Sequence, residues 1–216
     1  ATFANFLSAD NVHAIAALQA QIRGCGENFQ YLYGGEDSGT SHLLQAVCHL
    51  SDELGLRSVY LPLEELALLS PDLLDGLEEL DLVCIDDLHL VAGRKKWETA
   101  LFHFFNRMRD AGRYLVISAD AAPGQLGVKL PDLASRLAWG VTLSLQNLTD
   151  EQKNDALKLR ARERGLELTD EVARYILHRG PRTLRELFDM LARLDHASLM
   201  TKRKLTIPFV RETLQW

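Results

Sequence analysis

The sequence predicts an α/β domain with a parallel sheet flanked by helices, followed by a small all-helical domain. Strand-like and helix-like segments alternate through the first two thirds of the chain, which is typical of a parallel sheet. Residues 82–85 and 114–117 are continuous apolar runs, as expected for strands covered on both faces. After about Gln146 only helical periodicity continues. We therefore predict an α/β domain at 1–146 and a helical domain at 147–216.

The first elements are predicted from caps and apolar spacing. A helix is expected to follow Asp10, a good N-cap, and to stop at Gly24. Its apolar face would comprise Val12, Ile15, Leu18 and Ile22. Phe29–Tyr33 is predicted as a buried strand that runs into a glycine-rich loop, and a helix begins near Ser41.

The rest of the sheet domain continues this alternation. Residues 58–61 predict a second strand, and 63–69 and 71–77 predict short helices, the latter opened by Pro71. An amphipathic helix is indicated by the spacing of Trp97, Leu101, Phe104, Phe105 and Met108. Residues 141–145 predict the last strand.

The C-terminal third carries clear helix signals. Thr149 and Thr169 are good N-caps, and Gln152 completes a capping box with Thr149. One apolar stripe is formed by Leu184, Leu187, Phe188, Leu191 and Leu194. Thr206 and Pro208 predict the start of a final short helix. This domain is therefore expected to be entirely helical.

Composition excludes several classes of protein. Against 24 Lys and Arg stand 30 Asp and Glu, a net charge of -6, which argues against duplex DNA binding as the main activity. The three cysteines, Cys25, Cys48 and Cys84, form no CxxC pair and predict reduced, mostly buried thiols rather than a metal site. No apolar run approaches the about 20 residues that span a bilayer. We expect a cytoplasmic protein without membrane contact.

The strongest local signal is the loop at 34–41, which has the phosphate-binding frame G-x-x-x-x-G-[K]-[ST]. Its glycines would let backbone N–H groups surround phosphates at a helix N-terminus, where the helix dipole favours negative charge. Ser41 stands at the metal-binding hydroxyl, but Thr40 replaces the lysine, so hydrolysis should suffer more than binding. An ordinary glycine-rich turn is the alternative. The predicted nucleotide-binding residues of this loop are Gly34, Gly35, Asp37, Ser38, Gly39, Thr40, Ser41 and His42.

The apolar run at 82–85 ends in Asp86 and Asp87. In a P-loop ATPase the first acid holds Mg²⁺, here together with Ser41, and the second orients the attacking water. The alternative is a strand that ends in two turn-forming aspartates. The next strand ends in Ser118-Ala119-Asp120, where a polar residue can sense a γ-phosphate, and we select Asp120 for that role.

The order of these elements, completed by an arginine in a short helix and a helical lid, is the layout of an AAA+ module. Several segments resemble the DnaA/Hda family of replication proteins. TFANF at 2–6 is similar to T-F-x-N-F, and GTSHL at 39–43 is similar to G-K-T-H-L, with Thr40 in place of the lysine and Ser41 in place of the threonine. SRLAWG at 135–140 is similar to S-R-F-x-W-G, and LREL at 184–187 to V-R-E-L. The resemblance runs from Thr2 to Leu214 and is strongest to the Hda branch. The most Hda-like strings are LVCID at 82–86, LPDLASRL at 130–137 and RKLTIPFV at 203–210.

The resemblance implies a regulatory mechanism. Hda proteins act with the DNA-loaded sliding clamp and present an arginine to ATP bound on the DnaA initiator, which then hydrolyses that ATP. By position, Arg136 would be this arginine finger, acting in trans. Phe6 would lie in the segment that leads into the nucleotide pocket, and Arg185 would be the lid residue that reads the nucleotide. The bound nucleotide is expected to be ADP or another nucleoside diphosphate, and Mg²⁺ is compatible with the site.

The expected partners are therefore the DnaA initiator and the sliding clamp, with DNA reached only through the clamp. The clamp-binding peptide of the Q-L-x-L-P-L type that precedes this region in Hda proteins is not found in the 216 residues. Two other functions remain open: an active AAA+ ATPase of the helicase or clamp-loader type, which Thr40 disfavours, and an origin-binding initiator fragment. The identity of the nucleotide, residual ATPase activity and a homo-oligomeric state are also left open.

Overall fold

The computed structural model describes residues 1–6 and 9–216. Within these residues the chain divides into two compact units, Ala1–Asn147 and Leu148–Trp216. The first unit holds the sheet and the second is helical.

The first unit is built on five parallel strands in the order β2-β3-β4-β1-β5, which confirms the predicted fold class. The strands are β1 (Phe29–Tyr33), β2 (Ser58–Pro62), β3 (Leu82–Asp86), β4 (Tyr114–Ala119) and β5 (Val141–Ser144). Because the strands are parallel, the loop after β1 lies at the carboxyl edge of the sheet, where ligands bind in open α/β sheets.

Helices cover both faces of this sheet. They are α1 (Val12–Ile22), α2 (Thr40–Glu53), α3 (Leu63–Leu66), α4 (Lys95–Asp110) and α5 (Pro131–Leu137). Successive strand residues point to opposite faces, so Ile85 and Ile117 join one apolar cluster with α4 while Cys84 and Val116 join another with α1 and α2. Short 3₁₀ helices occupy Phe3–Asn5, Ala9–Asn11, Pro71–Leu74, Leu77–Glu79, Leu88–Leu90 and Pro123–Gln125.

Two predicted details of the first helix are wrong. Asp10 lies inside a 3₁₀ turn, so Asn11 precedes α1, and the Asn11 side chain instead bonds the Gln146 backbone at 2.9 and 3.1 Å. Val12 is 56% exposed and does not belong to the apolar face.

The helix predicted over 71–77 is also wrong. The structure has two 3₁₀ turns there, separated at Gly76, whose φ of +83° interrupts a continuous helix.

The second unit contains α6 (Asp150–Glu163), α7 (Asp170–Arg179), α8 (Leu184–Thr201) and α9 (Ile207–Leu214). A threonine caps the N-terminus of each, and the capping box of Thr149 with Gln152 is confirmed. The core of this unit includes Leu157, Ile176, Leu187, Leu191, Leu194 and Phe209.

The cysteine thiols are free, as predicted, but only Cys84 is fully buried; Cys48 is half-buried and Cys25 exposed. Among the helices of the described residues, none is long and apolar enough to cross a membrane.

Candidate functional site

The phosphate loop folds tightly between β1 and α2. A Cβ on Gly34 would lie 2.5 Å from the Ser38 side chain, so only glycine fits there. Gly39 has a φ of +85° and precedes the first turn of α2. Inside the loop the Ser38 N–H donates to the Gly35 carbonyl at 3.0 Å, and Asp37 is left-handed with a φ of 72°.

This loop fits a bound phosphate in two respects. The helix that follows it has 14 residues, so its N-terminus offers unpaired N–H groups and a favourable dipole to an anion. The Ser38 hydroxyl is buried and has no hydrogen-bond partner within the described residues, which is unusual for a buried polar atom. A phosphoryl oxygen would satisfy such groups.

The N-terminal segment packs against the start of α2. A Cβ on Gly39 would lie 2.6 Å from the Phe6 ring, and the Phe6 and His42 ring centroids are 5.5 Å apart. The His42 Nε2 lies 3.0 Å from the Thr2 carbonyl oxygen. The structure therefore brings Phe6 and His42, two residues predicted to bind nucleotide, to the same end of the loop.

Asp86 is the buried acid at the carboxyl end of β3, with 1% exposure. Tyr60 donates a hydrogen bond to one of its carboxylate oxygens at 2.5 Å, and Ser118 donates to the other. The Ser118 oxygen also accepts from the Asp87 N–H at 3.1 Å. Both carboxylate oxygens are thus held by hydroxyl groups from the neighbouring strands.

Tyr60 is one of the two hydroxyl groups that hold the Asp86 carboxylate. Burial, and then the hydrogen bond to Asp86, raise the pKa of Tyr60 well above its ordinary value, while the side chains of Gln45 and Ser41 act in the opposite direction. Of the two side chains predicted to bind Mg²⁺, Tyr60 thus donates a hydrogen bond to Asp86. Sequence reasoning missed Tyr60. The signal for it is the parallel register, which pairs Tyr60 with Cys84 and so places it on the same sheet face as Asp86.

Asp87 and Asp120, the two other acids predicted from the sequence, occupy surroundings that differ from those of Asp86. Asp87 begins the turn after β3 with a left-handed backbone, φ 60° and ψ 46°. The Asp120 side chain is 59% exposed and lies 3.8 Å from the His89 Nδ1. At the tip of β4 it is Ser118, and not Asp120, that contacts Asp86.

A divalent cation fits the chemistry of this edge. Mg²⁺ prefers hydroxyl, carboxylate and phosphate oxygens and is commonly held by one or two protein ligands together with substrate phosphates. Ser41 and Asp86 would be those ligands. Within the described residues no cluster of three or more His, Cys, Asp or Glu side chains could hold a metal ion, so Mg²⁺ would also need the phosphate oxygens of a nucleotide.

Arg136 lies in the last turn of α5, half-buried. Its guanidinium carbon is 5.1 Å from the centroid of the Trp139 ring, and no carboxylate in the described part of the chain pairs with it. Trp139 and Gly140 come just before β5, and a Cβ on Gly140 would lie 2.7 Å from the carbonyl oxygen of Phe29, the first residue of β1.

Arg136 and the phosphate loop therefore lie at opposite edges of the sheet. The loop follows the last residue of β1, whereas the arginine and its indole lie beside the first residue. Five residues of a strand span about 16 Å. Arg185 is the second residue of α8 in the second unit, two residues after the N-cap Thr183.

Comparison with protein families gives two matches. The model of the bacterial DnaA ATPase domain matches residues 1–144. The model of the Hda lid domain matches residues 150–214.

Solved structures give the same fold. Domain III of the replication initiation protein DnaA from Thermotoga maritima is 26% identical with a TM-score of 0.82, and the match covers 99% of this chain and 95% of that one. AMPPCP-bound DnaA from Aquifex aeolicus is 24% identical with a TM-score of 0.72, over 88% of this chain and 63% of that one. The RuvB Holliday junction branch migration motor of T. maritima is 21% identical with a TM-score of 0.74, over 99% and 71%.

Proposed function

Because the chain belongs to the family of the bacterial DnaA ATPase domain, we propose that it is a negative regulator of replication initiation that acts on ATP bound to the DnaA initiator. An AAA+ module of DnaA type with an Hda-type lid is a replication-initiation protein in its general class. The specific role proposed for this chain is to supply Arg136 in trans, so that the initiator hydrolyses its own nucleotide to ADP.

The observation that carries this proposal is the position of Arg136. Arg136 is half-buried, its guanidinium has no carboxylate partner among the described residues, and it lies at the sheet edge opposite the chain's own phosphate loop. A guanidinium is always charged and planar, so it can neutralise charge that develops on phosphoryl oxygens. In GTPase systems an arginine supplied in this way is worth about 10³–10⁵ in rate.

The chain's own nucleotide is proposed to be structural. Without the P-loop lysine, the loop offers mainly backbone N–H groups, which suit ADP or another nucleoside diphosphate better than ATP. Arg185 is proposed to approach this nucleotide from the lid. When Mg²⁺ is present it would supply positive charge to the phosphates, held by Ser41 and Asp86.

The proposed partners follow from the family and the charge. The initiator is the partner that carries the ATP, and the sliding clamp loaded on DNA is proposed as the platform on which the two proteins meet. A net charge of -6 suits contact with DNA through the clamp rather than directly. The cytoplasm is the corresponding location.

The alternative is an active AAA+ ATPase of the helicase or clamp-loader type. Asp86 and the left-handed Asp87 at the tip of β3 favour it, since they are the two acids that a P-loop ATPase uses. Thr40 disfavours it, because the lysine charge on the γ-phosphate is missing.

Single-turnover hydrolysis of labelled ATP separates these functions. The label is bound first to DnaA, excess ATP is removed, and the chain is then added with clamp-loaded DNA and Mg²⁺. We expect a large acceleration of hydrolysis on DnaA and negligible hydrolysis when the same label is offered to the chain alone. Turnover by the chain alone, without acceleration on DnaA, would establish the alternative.

A further inference from the structure

We propose that Trp139 positions Arg136, and that Arg109 fixes the indole on which Arg136 lies. The inference rests on the proposed function, because it concerns the arginine that acts in trans. Three residues carry it, from the C-terminal end of α4, the last turn of α5 and the segment before β5.

The indole contacts two guanidinium groups. The guanidinium carbon of Arg136 lies 5.1 Å from the Trp139 ring centroid, and that of Arg109 lies 5.8 Å from it. Both distances fall within the about 6 Å over which a cation is attracted to an aromatic face. Tryptophan gives the strongest such attraction among the aromatic side chains.

The two arginines differ in charge balance. Arg109 donates from both Nε and Nη2 to the Asp110 carboxylate, at 2.9 and 2.7 Å, so its charge is largely balanced. Arg136 has no carboxylate partner within the described residues. Arg109 is therefore suited to hold the indole, while the charge of Arg136 is available to an anion on another molecule.

Packing alone does not fix the indole. Trp139 is 54% exposed, and it borders a cavity of about 150 Å³ lined by Phe29, Phe105, Met108, Arg113 and Leu115. Its backbone is fixed, because Gly140 packs against the Phe29 carbonyl and its φ of +103° is accessible mainly to glycine. The orientation of the ring thus depends on its contacts with the guanidinium groups.

The test compares two substitutions that keep an apolar side chain on an exposed position. Trp139→Leu removes the aromatic face, and Trp139→Phe keeps a weaker one. Leu68→Ala, at a residue that is 90% exposed, is the matched control. Folding is checked by thermal unfolding, and little change is expected because the indole is largely exposed.

The first readout is the side-chain NMR signal of Arg136 in the chain alone. The ring current of the indole should displace this signal in the wild-type chain, the displacement should be lost in Trp139→Leu, and part of it should remain in Trp139→Phe. An Arg136 signal that is the same in the wild type and Trp139→Leu would overturn the proposed contact.

The second readout is hydrolysis of ATP on DnaA as a function of chain concentration. A positioning role predicts that Trp139→Leu lowers the saturating rate by about two- to five-fold, the loss expected for an exposed cation–π contact, at an unchanged half-saturating concentration. Trp139→Phe should restore most of the rate. A change only in the half-saturating concentration would show that Trp139 is a docking contact instead. If Arg136→Ala leaves the rate of ATP hydrolysis on DnaA unchanged, the proposed function fails. The NMR measurement still tests the contact between Arg136 and the Trp139 ring in that case.

Discussion

Thr40 is the residue that most changes the chemistry of the phosphate loop. It is the first residue of α2 and stands at the position of the P-loop lysine. We predict that Thr40→Lys tightens ATP binding by about ten-fold or more and ADP binding less, because a charge-assisted hydrogen bond is worth about 1.5–3 kcal/mol and the added ammonium would reach the γ-phosphate. Calorimetric titration with both nucleotides measures the difference. Thr40→Ser adds no charge and is the control, and an equal gain for ADP and ATP would contradict this account of the loop.

The raised pKa values of Tyr60 and Tyr31 predict that the free energy of unfolding falls at alkaline pH. Burial first, and then Asp86 for Tyr60 and Asp120 for Tyr31, raise the pKa of each hydroxyl well above its ordinary value of about 10. Above pH 10 the unfolded chain loses these protons and the folded chain keeps them. The stabilisation is thus complete below pH 10 and falls as pH rises, by up to about 1.4 kcal/mol per pH unit for each tyrosine.

Urea unfolding at several pH values between about 9 and 11 tests this dependence. We expect the free energy of unfolding to fall more steeply in the wild-type chain than in Tyr60→Phe or Tyr31→Phe. The slope is the relevant quantity, because Tyr60→Phe also removes a donor from Asp86. Identical slopes in all three chains would mean that the two hydroxyls titrate alike in the folded and unfolded states.

Single residues show where sequence reasoning succeeded and where it failed. The position of Asp86 at the end of a buried strand was predicted correctly, because an apolar run that ends in a carboxylate is visible in the sequence. Its partners Tyr60 and Ser118 come from two other strands, 26 and 32 residues away, so only the strand register brings them together. The prediction of Asp10 as N-cap failed for a related reason: Asn11 precedes α1 instead, and its side chain forms hydrogen bonds with the backbone of Gln146, 135 residues away, rather than with its own helix.

At the scale of elements, α5 is held by a carboxylate from another helix. Glu98 on α4 is 2% exposed, and its two oxygens accept hydrogen bonds from the backbone N–H groups of Gly93, Lys129 and Leu130 at 2.7 to 3.0 Å. Leu130 is the N-cap of the helix that carries Arg136. Glu98 therefore holds the backbone that leads into α5.

We predict that Glu98→Gln destabilises the fold by about 1–3 kcal/mol, since an amide NH₂ would face backbone donors and leave buried groups unpaired. Chemical denaturation gives the free energy of unfolding, with the exposed Glu65→Gln as control. A loss below about 0.5 kcal/mol, the usual range for surface substitutions, would show that Glu98 does not hold the start of α5.

Most strands and long helices were predicted correctly because continuous apolar runs, apolar spacing and N-caps are visible in the sequence. The strand predicted at 114–117 extends to Ala119, since Ser118 and Ala119 continue the pairing with β1. The stretch over 71–77 has apolar spacing but lacks the length for a stable helix, and the positive φ at Gly76 divides it. Long-range pairing and local backbone geometry are the parts that pattern alone does not specify.

On the scale of the whole molecule, the two candidate sites lie at opposite edges of one sheet. The phosphate loop follows the carboxyl end of β1, and Arg136 lies with Trp139 near its amino end. The proposed function needs such an arrangement, in which the loop binds one nucleotide and the arginine is offered to another. The same arrangement permits self-association in which one copy faces the nucleotide of the next, so a homo-oligomer stays a prediction.

The rate of hydrolysis of labelled ATP preloaded on DnaA, measured with Arg136→Ala, tests the central claim most directly. Arg162→Ala, at an exposed arginine in α6, is the matched control. We expect Arg136→Ala to keep the wild-type unfolding midpoint and to lose nearly all stimulation, by about 10³-fold or more on the scale known for such arginines, while Arg162→Ala retains it. Full stimulation by folded Arg136→Ala would contradict the assignment of Arg136 as the residue that acts in trans.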